Sequence, residues 1–290
     1  MNLSSAILST LVYHDIFGYP LDLSETANLL IKKKAGEESI ARGLGSLRVI
    51  GKVGANNGYF FLKDRQKIVR IRKLRAKYSQ QKLERAAFFA GLLKVIPSVK
   101  LVAVSGALSM RNSSKGDDID LVIVTSKNLL WTTRFLANLL LLPFKRDPAG
   151  QKISDRACLN MFLDESALSI RDRNVYTAHE ICQMKLLWDR GGTYKKFIDA
   201  NKWVKKYLPN WQPEKVTSSK SQVPSHKSFQ FITNNLALIT ERVLRSLQLS
   251  YMKSKITTER IGKTQLFFHP KNTQDWIISE YKKRLKKLGI

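Results

Sequence analysis

The sequence predicts a mixed α/β (α+β) protein, and the order of its apolar segments is the main reason. Between residues 97 and 170, short apolar runs that suit strands (99–104, 121–124 and 157–163) are interspersed with a longer run of helical spacing (129–142). Strands that alternate with helices in this way are typical of a compact α/β unit. Helical patterns dominate on both sides, so the sequence predicts one small mixed sheet flanked by helices.

Residues 1–64 are predicted to form an N-terminal domain. The segment shows helical spacing in three places: 3–13, 24–31 and 38–49. Asp22 or Ser24 is the expected cap of the second helix. The pair Asn57-Gly58 then separates two short apolar strands, which is a strong signal for a β-hairpin. Three helices followed by a hairpin is the element order of a winged helix-turn-helix, so this domain is predicted to be winged-helix-like.

Residues 65–96 are predicted to form a basic linker helix, because neither glycine nor proline occurs there before Gly91. Its start is crowded with cations: Lys63, Arg65, Lys67, Arg70, Arg72, Lys73, Arg75 and Lys77. These side chains have two interpretations. They are either the ordinary surface of a solvated helix or a face that binds nucleic-acid phosphates.

The rest of the chain divides into four predicted segments. They are a mixed-sheet unit at 97–172, a helical extension at 173–209, a flexible linker at 210–228 and basic C-terminal helices at 229–290. Within the extension, helices are expected over 174–188 and 194–208. The linker is predicted from its content of Ser, Lys and Pro, which cannot bury enough apolar surface to fold.

The formal net charge of +27 points to an anionic partner: nucleic acid, a nucleotide or an acidic membrane surface. A merely solvated basic surface is the alternative.

The two cysteines lack the spacing of a zinc site and suit a reducing, cytoplasmic environment. The start of the chain has no basic signal-peptide region, and the most apolar stretch, 129–144, is shorter than the ~20 residues of a membrane span. We therefore expect a cytoplasmic protein without stable membrane insertion.

Asp118 and Asp120 are the most informative residues. They come just before and within the start of an apolar run, where residues i and i+2 of a strand point to the same face. Two carboxylates held that close repel unless a cation lies between them. Hard divalent ions take carboxylate oxygens together with substrate phosphates. The pair therefore predicts a metal-dependent phosphoryl-transfer site, and a plain surface turn is the alternative.

The stretch from Gly106 to Asp120 resembles the signature of the DNA polymerase beta-like nucleotidyltransferases. In that signature a glycine and a second small residue precede, by about ten residues, an Asp-x-Asp and an apolar strand; here Gly106-Ala107 precedes Asp118-Ile119-Asp120. The resemblance implies a nucleotidyltransferase domain at 97–172. It implies that Asp118 and Asp120 hold Mg²⁺ (or Mn²⁺) against a nucleoside triphosphate, with ATP the expected one.

The resemblance also implies a nucleotide-binding segment around the glycine. Its candidate residues are Ser105, Gly106, Ala107, Ser109 and Arg111, with Lys115 as a further cation in the loop. Where the family usually has Ser or Gly, this chain has Ala107, so a hydroxyl that could bind phosphate is missing there.

The family uses a third carboxylate on a later strand. Asp164 is the candidate, because residues 158, 160, 162 and 164 share the more polar face of the predicted strand. The alternative places Asn160 in the acid's position and leaves Asp164 to cap the next helix.

Further along, Tyr176, His179, Glu180 and Gln183 share one helix face, which is either exposed or lines the cleft. Two functions follow from the sequence as a whole. The first is an enzyme that transfers a nucleoside monophosphate to an unidentified acceptor and releases pyrophosphate. The second is a catalytically degenerate protein of the same fold that binds DNA or RNA as a regulator.

Overall fold

A computed structural model describes residues 1–147, 151, 153–214, 234–253, 259–268 and 273–290. It confirms the α+β class: a mixed sheet of six strands is flanked by helices, and a separate two-stranded hairpin lies in the N-terminal part. No described helix is long and apolar enough to cross a membrane.

The N-terminal part has the predicted order of three helices and a hairpin. The elements are α1 (Leu3–Asp15), α2 (Leu23–Asn28), α3 (Glu37–Val49), β1 (Val53–Asn56) and β2 (Tyr59–Leu62). Asp22 caps α2 in a reciprocal capping box with Glu25. Asn57 and Gly58 both have positive φ, at 50° and 79°, as the central residues of a tight hairpin turn require.

A single long helix, α4 (Lys67–Leu93), connects this part to the main sheet. Its basic residues divide into two groups. Arg72 points inward, forms two hydrogen bonds with the Glu25 carboxylate at 2.6 and 2.7 Å, and stacks on the rings of Tyr19 and Tyr59. Arg65 and Arg75 also have partners, whereas Lys67, Arg70 and Lys73 are exposed. The helix is therefore more than a solvated linker, because part of its charge holds α2 and the hairpin in place.

The main sheet is built from the middle and the end of the chain. Its strands are β3 (Val99–Val104), β4 (Ile119–Thr125), β5 (Ala157–Asp164), β6 (Lys185–Asp189), β7 (Arg260–Ile261) and β8 (Gln265–Phe267). They lie in the order β6-β3-β4-β5-β8-β7. The β4–β5 pair is parallel and the other pairs are antiparallel. The central strands β3 and β4 are almost wholly buried, so their apolar runs are continuous rather than alternating.

Helices cover this sheet and follow its strands in the chain. They are the short α5 (Gly106–Ser109), α6 (Leu130–Leu140), α7 (Val175–Gln183), α8 (Thr193–Ala200), α9 (Asn234–Met252) and α10 (Thr273–Lys287). Helix α9 packs on α6, and its Glu241 carboxylate accepts the N–H groups of Trp131 and Thr132 in the first turn of α6. The unpaired N–H groups at the start of α6 are thus satisfied from another helix.

Two predicted helices in the second half of the chain are shorter than expected, and most of the predicted linker lies outside the described residues. The helix expected over 174–188 ends at Gln183, and β6 follows because Leu186 enters the core and pairs with Ala103 of β3. The helix expected over 194–208 ends at Ala200, where buried Asn201 binds the Ile170 N–H and the Leu168 carbonyl; a 3₁₀ turn follows. The predicted flexible linker lies mostly outside the described residues, since 215–228 is not covered.

Helix α1 contacts both α7 and α10 through ring stacking, and Asp15 at its end forms ion pairs. Asp15 at its end accepts hydrogen bonds from Arg65 at 2.7 Å and from Arg284 of α10 at 2.7 Å. Next to it, the fully buried His14 packs against His179 of α7, with ring centroids 5.2 Å apart. Each histidine binds a helical carbonyl through Nδ1, while its Nε2 has no hydrogen-bond partner among the described residues.

These histidines make folding sensitive to acid. Burial lowers the pKa of His14 to about 4 and puts that of His179 well below its usual range. The unfolded chain therefore binds more protons than the folded one once the pH falls below about 6.5. Between pH 6.5 and about 4, we expect the free energy of unfolding to fall by about 3 kcal/mol from His14 alone.

Urea unfolding at pH 7 and at pH 5 checks this. In the variant His14→Gln, which cannot ionise there, the difference between the two pH values should shrink, whatever the stability of the variant at pH 7. Equal pH dependence of the variant and the wild type would contradict the prediction.

Candidate functional site

A tight turn between β3 and α5 forms one wall of the candidate site. Gly106 opens α5 with a φ of 62°, a conformation that side chains disfavour. A Cβ atom at Gly106 would lie 3.3 Å from Oδ2 of Asp120. The N–H of Ser105 donates to the backbone carbonyl of Asp120 at 3.1 Å, which fixes this approach. Gly106 was predicted as part of a nucleotide-binding segment; the close contact that the structure shows there is with the Asp120 carboxylate.

Asp118 and Asp120 lie together at the start of the central strand β4, as predicted. Asp118 accepts a hydrogen bond from Nη1 of Arg146 at 2.9 Å. Burial raises the pKa of Asp120 to about 7, and the negative charge of Asp118 adds to this effect. The Cys158 thiol and the Arg146 guanidinium act in the opposite direction. Arg146 precedes β5 and was not among the predicted site residues, since nothing in the local sequence ties it to the pair.

Cys158 occupies the position beside Asp120. In the parallel β4–β5 ladder, Asp120 is directly opposite Cys158. One ligand atom from each of Asp118, Asp120 and Cys158 lies within 4.8 Å of the others, and among the described residues they are the one such group of at least three. Burial raises the pKa of the Cys158 thiol, and the charge of Asp120 contributes. The thiol is therefore protonated while no cation is bound.

Asp164, the predicted third carboxylate, does not belong to this group. It lies at the far end of β5, opposite Thr125. Its carboxylate accepts the N–H of Asn128 at 2.7 Å and the N–H and hydroxyl of Ser166, so it stabilises the turns beyond the strands. The rival residue, Asn160, lies in the irregular part of the ladder between Leu159 and Met161 and is not opposite Asp120 either.

The loop that leads to Asp118 is held by a buried lysine of α4. Lys82 donates to the carbonyls of Lys115 and Asp117, at 3.1 and 2.6 Å, and to the Asp155 carboxylate at 2.7 Å. Only 2% of Lys82 is exposed. The Asp117 carboxylate accepts the Ser114 N–H at 2.7 Å inside the loop. A buried ammonium with three oxygen partners is well satisfied, so α4 fixes the position of the loop.

The remaining predicted residues divide between the site and its surroundings. A cavity of about 200 Å³ is lined by Ala107, Asp118, Asp120 and Arg146, among others. Two candidates act elsewhere: the hydroxyl of Ser109 donates to the Gly106 carbonyl, and exposed Arg111 reaches Gln80 of α4.

Glu180 of α7 is a further acid near the pair. The polar face that it shares with His179 is not an exposed stripe, because His179 is fully buried. Burial raises the pKa of Glu180 to about 7, the charge of Asp120 adds to this, and a hydrogen bond from the Gly106 N–H opposes it. Helical spacing in the sequence predicted that these residues share one face of the helix. That Glu180, among them, lies near Asp120 follows only from the packing of α7 against the Gly106 turn.

Comparisons with models of protein families, with curated proteins and with solved structures give no match. The resemblance to the nucleotidyltransferases therefore stays a prediction. The function has to be argued from the geometry of Asp118, Asp120 and their neighbours.

The contact between Gly106 and Asp120 makes a prediction for stability. Gly106→Ala should lower the free energy of unfolding by about 1–2 kcal/mol, the cost of a left-handed conformation for a residue with a Cβ. Gly116→Ala is the matched control, because Gly116 lines the same cavity and its Cβ would meet nothing within 4 Å. Denaturant unfolding of both variants measures the difference, and equal effects would contradict the role of the Gly106 turn.

Proposed function

We propose that this protein is a divalent-metal-dependent nucleotidyltransferase that transfers a nucleoside monophosphate from an NTP, with ATP the expected donor, and releases pyrophosphate. The observation that supports this most is the meeting of Asp118 and Asp120 with the Gly106 turn at one small cavity. Phosphoryl transfer needs positioning and charge neutralisation more than covalent help from the protein. This cavity offers both carboxylates for a cation and a positive side chain, Arg146.

The residues suit a divalent cation in part. Two carboxylates are ligands that Mg²⁺ or Mn²⁺ accepts, whereas the thiol of Cys158 is a poor ligand for Mg²⁺. A bound cation would neutralise charge on the phosphates and on the departing pyrophosphate. Asp118 and Asp120 would hold it, and Arg146 would add a fixed positive charge at the mouth of the cavity.

In the proposed reaction, a hydroxyl oxygen of the acceptor forms a bond to the α-phosphorus of the NTP. The bond from that phosphorus to the oxygen bridging the α- and β-phosphates breaks, and pyrophosphate leaves. The proton of the hydroxyl passes to a nearby carboxylate or to water. Glu180, beside Asp120 and the Gly106 turn, is within the same buried acidic group.

Release of labelled pyrophosphate from γ-labelled ATP tests this proposal with one readout for every acceptor. RNA, DNA and the protein itself are supplied as acceptors, with Mg²⁺ or Mn²⁺. Asp118→Asn and Asp120→Asn should each lower the rate at least about 100-fold, since even the loss of a residue that only supports a metal ligand costs 10–100-fold. Asp199→Asn, at an exposed aspartate of α8 away from both the cavity and the groove on α4, should keep the wild-type rate. Equal rates in all four proteins would overturn the proposal.

The alternative function, a degenerate nucleic-acid-binding regulator, is favoured by one surface. Lys67, Arg70 and Lys73 line a groove of about 650 Å³ together with the hairpin tip at Asn56 and Asn57. Within the described part of the chain, none of these three cations is paired with a carboxylate. Unpaired cations along one helix face suit the phosphates of a nucleic acid, which would be the acceptor of the enzyme or the target of the regulator.

The groove can be tested separately from the reaction. Replacing Lys67, Arg70 and Lys73 with Gln should weaken binding to duplex DNA and reduce the slope of log affinity against log salt by about 3. The control replaces Lys195, Lys196 and Lys202, which removes the same charge from another exposed surface. Filter binding over a salt series measures both variants, with single-stranded RNA as a second probe. An unchanged slope in the groove variant would exclude this surface.

A further inference from the structure

We propose that Cys158 is the third ligand of the Asp118–Asp120 site, and that the site consequently selects a thiophilic divalent cation of the Zn²⁺ class over Mg²⁺. The inference rests on the proposed function only for the location of the metal, and metal binding can be measured without any transfer reaction. It concerns the one point at which the residues present disagree with an all-oxygen magnesium site.

The strand pairing places the sulfur where a third ligand belongs. Cys158 is directly opposite Asp120 in the β4–β5 ladder, and its side chain lies on the same face. The three ligand atoms lie within 4.8 Å of one another. Ligands of one Zn²⁺ ion stand about 2.0–2.3 Å from the metal, so small side-chain movements bring all three onto it. The ladder itself does not need to move.

The chemistry of the ligands then decides between cations. Mg²⁺ demands near-octahedral oxygen coordination and gives up water reluctantly, so a thiolate contributes little to its binding. Zn²⁺ binds cysteine sulfur strongly and accepts carboxylate oxygens in the same tetrahedral shell. Two carboxylates and one thiolate leave a fourth position, which can face the cavity lined by Asp118 and Asp120. That open position is the usual arrangement of a catalytic zinc centre.

The charges of the three ligands, the cation and Arg146 balance one another in this arrangement. Binding displaces the proton of the Cys158 thiol to solvent, so two carboxylates and a thiolate present three negative charges. The divalent cation supplies two positive charges, and the Arg146 guanidinium on Asp118 supplies the third. These side chains are partly buried, and matching their charges reduces the cost of an uncompensated charge there.

Cadmium is the direct probe, because a Cd²⁺–thiolate bond gives an ultraviolet charge-transfer absorption that oxygen ligands do not give. We expect the reduced full-length protein to show this band at one equivalent of Cd²⁺, and Zn²⁺ to abolish it by competition. Mg²⁺ in large excess should leave it unchanged. The variant Cys182→Ser controls for the other cysteine and should keep the band, whereas Cys158→Ser should lose it and bind Zn²⁺ at least about 100-fold more weakly.

A ligand exchange sharpens the test. Cys158→Asp replaces the thiol by a carboxylate and should shift the preference toward Mg²⁺, measured by calorimetric titration of both ions. Circular dichroism and thermal unfolding establish that each variant is folded. Persistence of the band in Cys158→Ser, or equal affinity of the wild type for Zn²⁺ and Mg²⁺, would overturn the inference.

The outcomes separate this inference from the proposed function. A cadmium band that depends on Cys158, in a protein that releases no pyrophosphate with any cation, would support the metal site and reject the transferase. Pyrophosphate release with Mg²⁺ that is equal in the wild type and in Cys158→Ser, without a band, would support the transferase and reject the thiolate ligand.

Discussion

The parallel pairing of β4 with β5 is the constraint on which the candidate site depends. Strand β4 lies in the middle of the sheet, so both of its neighbours are fixed by backbone hydrogen bonds. On one side, β3 ends in the Gly106 turn against Asp120; on the other, the register of β5 brings Cys158 beside the same carboxylate. A shift of the register by one residue would turn a different side chain toward Asp120. The position of Cys158 beside Asp120 is therefore set by strand alignment, whereas Asp118 and Arg146 come from the segments that precede the strands.

Local patterns in the sequence were sufficient for much of the fold. The apolar run at 99–104 corresponds to β3 residue for residue, and the Asn57-Gly58 pair forms the expected hairpin turn. The closeness of Asp118 and Asp120 was also expected from their i, i+2 spacing at the start of a strand. Each of these features is decided by neighbours within a short stretch of chain, which is why the sequence alone could predict them.

The errors concern features that distant parts of the chain decide. The face of β5 that carries Cys158 was identified, but Asp164 was chosen because an acid was expected. The register then placed Asp164 at the opposite end of the ladder. Residues 185–189 have a helical pattern that pairing with β3 overrides. Arg146 and Lys82 reach the site from segments far away in sequence, so no motif could have linked them to it.

Part of the positive charge of the chain is neutralised by ion pairs within the fold. Arg65, Arg72 and Lys82 are bound to carboxylates within the fold, and Arg146 is bound to Asp118. Arg65, Arg72 and Lys82 stabilise the structure through these contacts, whereas Arg146 also lines the cavity at the candidate site. The positive charge left exposed is therefore smaller than the total charge implies, and the exposed cations of α4 are one part of it.

Helix α4 therefore sets a fixed distance between the groove and the candidate site. The N-terminal part of α4 carries the exposed cations around Arg70. Lys82, near the middle of the helix, binds the loop that leads to Asp118. Twelve residues separate Arg70 from Lys82 in an uninterrupted helix, which corresponds to about 18 Å at 1.5 Å per residue. A polyanion anchored at the groove would have to span a fixed length to reach the carboxylates. If the proposed groove binds a nucleic acid, this fixed distance would select acceptors by the reach of the bound strand, independently of any recognition of its bases.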